Sequence, residues 1–145
     1  MKISPHFELT EFTSSQTAER LGIDNTPSAS IIENLRRVAN WLEGVRILLG
    51  VPIHISSGFR CLALNRAVGS KDTSQHIRGE AADFTAPSFG SPRHVIDRIL
   101  DAGMEYDQLI LEFPPHGWVH VSVTLGGNRR QALQIDSSGT KPLTA

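Results

Sequence analysis

Gln108-Leu109-Ile110-Leu111-Glu112-Phe113 and Gly117-Trp118-Val119-His120-Val121-Ser122-Val123-Thr124 are two strand-like runs separated only by Pro114-Pro115-His116. So short a connection leaves its strands adjacent and antiparallel. Alternation then assigns the faces. Val119, Val121 and Val123 take one side of the second run, and Trp118, His120 and Ser122 take the other. In the first run Leu109, Leu111 and Phe113 share a face, opposite Gln108, Ile110 and Glu112. Once the runs pair, Glu112 stands on the same face as His120. A hairpin with one apolar face needs helices to cover it, which sets the class as α+β: a small, mostly antiparallel sheet with packed helices.

The sequence on either side supplies those helices. From Ser28 to Leu49, Ile31, Leu35, Val38, Leu42, Val45 and Leu49 recur at steps of three and four, giving one continuous apolar stripe. Ser28 or Ser30 suits the N-cap and Gly50 the stop. Ser91-Pro92 opens a second helix, with Val95, Ile96, Ile99 and Leu100 as its buried face and Gly103 as its end. Residues 51–58 read as a strand, 62–68 as a short helix, 69–80 as a loop, 81–85 as a short strand and 131–135 as a last strand. Residues 1–27 form a lead-in with one helical signal, Thr10 capping a turn at Glu11, and 137–145 read as a flexible tail. The 145 residues suit a single domain.

The segment Ser74-Gln75-His76-Ile77-Arg78-Gly79-Glu80-Ala81-Ala82-Asp83 is polar, then abruptly apolar around one carboxylate. A helix would not turn His76 and Asp83 toward one point, but a turn at Gly79 into a strand can. Asp83 within Ala-Ala-Asp-Phe needs a partner, because a bare buried charge is costly. Taken alone, His120 beside Trp118 reads as a packed sheet histidine. Together, His76, Asp83 and His120 make a set of two imidazoles and one carboxylate. That set suits a catalytic Zn2+ with one position left open, and the further carboxylate would serve as general base.

Composition narrows the partners. A formal net charge of −1 with scattered basic residues gives no reason to expect nucleic acid, and the pair Arg129-Arg130 reads as a solvated turn. The single cysteine, Cys61, excludes an internal disulfide and reads as structural. No run approaches the roughly 18 apolar residues of a membrane span, and the N-terminus has no apolar signal region. The expectation is a monomer made in the cytoplasm without a signal peptide, delivered to any outside substrate by another factor.

Ser74-x-His76-x-x-Gly79-x-Ala81-x-Asp83, followed by Trp118-Val119-His120-Val121-Ser122, resembles the M15 peptidases. These include zinc D-Ala-D-Ala carboxypeptidases, D,D-dipeptidases and phage endolysins that cut L-alanyl-D-glutamate bonds; the hedgehog signalling domain shares their fold. The resemblance extends through Leu9-Thr10-Glu11-Phe12 and Ser56-Ser57-Gly58-Phe59-Arg60, covering roughly residues 5–125. It implies zinc held by His76, Asp83 and His120, and an Arg60 that faces a peptidoglycan peptide. It also implies a phage or prophage wall-degrading enzyme, acting after release or as part of a virion; the alternative is a non-catalytic zinc-containing wall-binding or phage structural module. Many members carry an acid three residues before the last histidine, where this chain has Gly117. Glu112 is the best replacement as base and Asp107 a weaker one. His116 is a candidate for polarising the substrate carbonyl, and Ser74 and Ser122 for orienting the metal ligands.

Overall fold

In the computed structural model, which describes residues 1–144, the chain runs β1 (Lys2–Ser4), β2 (Phe7–Glu8), α1 (Leu9–Thr13), α2 (Gln16–Leu21), α3 (Ala29–Leu49), β3 (His54–Ser57), α4 (Leu62–Ala67), a 3-10 helix at Gln75–Arg78, β4 (Ala81–Thr85), α5 (Pro92–Asp101), β5 (Gln108–Glu112), β6 (Trp118–Ser122), β7 (Gln131–Asp136) and β8 (Gly139–Pro142). β1 and β2 form a small antiparallel pair. The other six strands form one mixed sheet in the order β3-β4-β6-β5-β7-β8. Every pair in it is antiparallel except β5–β7, which is parallel.

The helices form where their caps and stripes place them. The Ser28 side chain accepts from the Ile31 amide, and Gly50 closes α3 in the left-handed region at φ 70°. Leu35, Val38, Leu42 and Val45 are wholly buried along the stripe. Ser91 caps α5 by accepting from the His94 amide, with Pro92 in the first turn, and Val95, Ile96 and Ile99 are wholly buried. Leu100 only packs against the core from its edge.

Both helices join one hydrophobic core with Ala82, Phe84, Leu109, Leu111, Val119 and Val121, which alternate onto one side of the sheet. Each fully buried Leu, Val or Phe there contributes about 1.5–3 kcal/mol. The opposite side of β4, β6 and β5 carries Asp83, His120, Ser122, Gln108 and Glu112 beside Ala81, Ile110 and Trp118, and so presents a second face for chemistry.

Several elements differ from the sequence reading. α1 begins at Leu9, not Glu11, because Glu8 and Glu11 form a reciprocal capping box in place of a Thr10 cap. α2, capped by Ser15, adds a helix to the lead-in. Phe113 leaves the core face: β5 ends at Glu112, and Phe113 turns at φ 50° and lies 47% exposed against the Trp118 ring. Where a flexible tail was expected over 137–145, residues 139–142 form β8, and the Leu143 amide bonds to the Ala132 carbonyl; Ala145 lies outside the described residues.

Candidate metal centre and cleft

The 3-10 helix and Gly79 do the work expected of the polar loop. Ser74 caps it by accepting from the His76 amide at 3.2 Å. Gly79 ends it at φ 71°, and a Cβ there would fall 2.9 Å from Ile31 Cγ2 and 3.0 Å from the Ile31 carbonyl oxygen. Backbone shape and close approach to α3 both require glycine at this point. The chain thus turns His76 inward and enters β4, where Asp83 pairs directly with His120 of β6.

The three side chains converge. His76 Nε2 lies 3.4 Å from Asp83 Oδ1, and His120 Nδ1 lies 2.9 Å from the same oxygen. One ligand atom from each residue lies within 4.8 Å of the other two, and all three residues are buried. Zinc bonds of 2.0–2.2 Å in tetrahedral geometry separate neighbouring ligand atoms by about 3.3–3.6 Å, so little adjustment would seat an ion.

The tautomer of His76 tests the fit. Its Nδ1 lies 2.6 Å from the Gly58 carbonyl oxygen, which can only accept, so Nδ1 carries the proton. Nε2 of the neutral ring then turns a lone pair toward the Asp83 carboxylate. Burial pushes the His76 pKa below its ordinary value, which disfavours a second proton. Burial alone would raise Asp83, but the two imidazoles beside it, with His120 Nδ1 in hydrogen-bond contact, hold its carboxyl well below the usual range. A carboxylate and an imidazole lone pair facing each other in a buried site are donors that could hold a divalent cation.

Glu112 and Arg60 complete the polar face. Glu112 pairs in register with Trp118 and accepts from the indole Nε1. Burial, and then the nearby charge of Asp83, raise its pKa above the ordinary carboxylate value. Arg60 donates from Nε to Asn65 Oδ1 at 3.0 Å and from Nη1 to Ser57 Oγ at 3.2 Å, while its amide bonds to the His76 carbonyl at 3.1 Å. Burial lowers the guanidinium's pKa, and Asp83 and Glu112 oppose that shift. His76, Asp83, His120, Glu112 and Arg60 all line one open cleft of about 1390 Å³.

Other expected residues take other parts. His116 is exposed in the β5–β6 turn and does not line the cleft, because the Gly117 amide closes that turn onto the Phe113 carbonyl. Ser122 is wholly buried and accepts from the Gln108 amide at 3.0 Å, so it ties β6 to β5, and its hydroxyl bonds toward Asp107 at 3.5 Å and not to the His120 ring. Ser74 steadies the backbone of His76, not its ring. The group that orients the ring is the Gly58 carbonyl, which no side-chain pattern announces.

Asp107 is not free to act as a base. Arg129 grips both its oxygens, from Nε at 3.0 Å and Nη2 at 2.8 Å, and the Gln75 amide nitrogen donates to it at 2.9 Å. These hydrogen bonds, Arg129 first, outweigh burial and hold Asp107 down to about 2. Arg129 is exposed, as the turn reading expects, but its guanidinium is not free. It anchors β5 to the residue that precedes His76.

The family described as Peptidase M15 matches residues 5–122, while β7 and β8 lie beyond the match. No curated protein matches the chain. The matched span covers most of the chain and takes in the three convergent side chains, Glu112 and Arg60. On that extent the chain belongs to the peptidase M15 family, and its reaction class is hydrolysis of peptide bonds.

Proposed function

We propose that the protein is a zinc metallopeptidase that hydrolyses a peptide bond in the stem peptides of peptidoglycan. The observation that carries this reading is the convergence of His76, Asp83 and His120 on the polar sheet face, with Glu112 and Arg60 on the same cleft. Bound there, zinc supplies Lewis acidity toward water and the scissile carbonyl.

The chain's own residues supply the rest. Glu112 takes a proton from the attacking water and later gives it to the leaving amine. Its raised pKa suits a carboxylate that must hold that proton between the two steps. Arg60, fixed by Asn65 and Ser57, keeps further N–H groups for the developing negative charge on the substrate oxygen. The apolar ring of Trp118 fixes the direction of the Glu112 carboxylate through its indole nitrogen.

The test measures bound zinc and the amino groups released from purified peptidoglycan, with Glu112→Ala and His76→Ala beside the native protein. Support is one zinc per chain and release of amino groups, with release lost in both variants and zinc lost only in His76→Ala. One zinc per chain without cleavage of any wall type would favour a wall-binding module instead. No bound zinc would overturn the site.

A further inference from the structure

The cleft does not end at Arg60. A second cavity of about 530 Å³ begins there, and Arg60 and Val68 line both. One wall of this groove is β3, with His54 and Ser56; the other is the start of α2, with Gln16 and Thr17. β3 is the edge of the six-stranded sheet, paired only with β4. Among the described residues, no backbone group of His54–Ser57 has a backbone partner outside that ladder. His54 and Ser56 are exposed. α1 packs against the same strand, yet His54–Ser57 line the groove, so alternate residues of the edge turn main-chain donors and acceptors into a channel that leads to the candidate metal site.

Such an edge binds an extended chain by adding it as a strand. Four residues of strand span about 13 Å, enough for three or four residues of an extended peptide. A peptidase that removes a terminal residue needs its cleft to stop where the substrate's carboxylate stops. Here the cation that could hold a carboxylate sits midway, with room on both sides.

We propose that the peptide substrate continues past Arg60 and lies along β3 as an added strand, so that the bond cut is an internal one. This rests on the peptidase reading above. The probes are synthetic stem peptides with free or amidated C-termini, each also lengthened by three residues at either end. Extension at one end raises kcat/KM by about tenfold or more, as a few added main-chain hydrogen bonds would. Amidation changes it little.

Gln16→Trp fills the groove from an exposed position in the first turn of α2. It abolishes the gain from extension and leaves cleavage of the shortest substrate unchanged, whereas Arg20→Trp, on the same helix outside the groove, does neither. Release of only a terminal residue, dependence on a free carboxylate and indifference to Gln16→Trp would overturn the inference and leave the peptidase reading standing. A zinc-loaded protein that cuts none of the peptides would overturn that reading, and the inference with it.

Discussion

Replacing Arg129 by Met should remove a measurable, pH-dependent part of the stability. Asp107 is 3% exposed and is held by two side-chain nitrogens of Arg129, by the Arg129 amide at 2.8 Å and by Gln75. Each factor of ten in proton affinity is about 1.36 kcal/mol. Holding Asp107 at about 2, against an ordinary 3.8, therefore corresponds to about 2 kcal/mol of stability near neutral pH. The Arg129 amide and Gln75 keep their bonds to Asp107 in the variant, and the Arg129 side chain is 51% exposed, so that solvent already screens part of the pair; about 1 kcal/mol is the expected loss. The sign follows from the lowered pKa. The contribution is complete above the unfolded value and is lost as pH falls through the folded one, with about half gone by pH 3. Urea unfolding at pH 7, 5 and 3, with a chelator present to remove any metal linkage, reads this directly. Titration of the histidines is common to both proteins and cancels in the difference. A gap below about 0.5 kcal/mol at pH 7, or one that stays constant down to pH 3, would refute the argument that charge pairing is what Arg129 contributes.

Glu112→Gln should keep its zinc and lose a factor of about 10²–10⁴ in kcat, read by amine release beside metal analysis. Trp118→Phe removes the donor that favours the ionised form of Glu112, so the acid limb of kcat/KM should move to higher pH. A chelator should lower the Tm of the native protein and not that of His76→Ala, and added zinc should restore only the former. Gly117→Ala should destabilise by more than about 3 kcal/mol, because its Cβ would fall 1.7 Å from the Glu112 carbonyl oxygen; chemical unfolding or loss of soluble protein reads the effect.

The parts legible in the sequence are those where one local period decides the outcome. The stripe of α3, the face of α5 and the alternation in β5 and β6 each follow from side-chain spacing alone. The convergence of His76, Asp83 and His120 was legible because Gly79 marks the turn and Asp83 interrupts an apolar strand. β7 was harder, since its residues are almost all half-buried and carry no clean alternation; its parallel pairing with β5 depends on where the intervening chain returns. Phe113 looks like a core residue, but it follows the last ladder position and the turn claims it. The link between Asp107 and Arg129 spans 22 residues, and nothing in either neighbourhood encodes it. Asn65 is similar: a polar residue on a short helix is wholly buried because Arg60 and the Lys71 carbonyl satisfy its amide.

The position of the acid shows how backbone geometry constrains chemistry. Members of this family often carry it three residues before the last histidine ligand, which here is Gly117. No side chain fits there, because even a Cβ would collide with the Glu112 carbonyl as β5 turns into β6. The tight hairpin that sets the register thus removes the acid from β6. The same register places Glu112 opposite Trp118, one residue pair along the polar face from Ile110 and His120. Diagonal neighbours of this kind lie about 7–8 Å apart at the backbone, within reach of a long carboxylate side chain. The indole nitrogen of Trp118 then fixes the carboxylate, and burial raises its proton affinity. The turn that excludes an acid from one strand therefore determines which residue of the neighbouring strand can supply it.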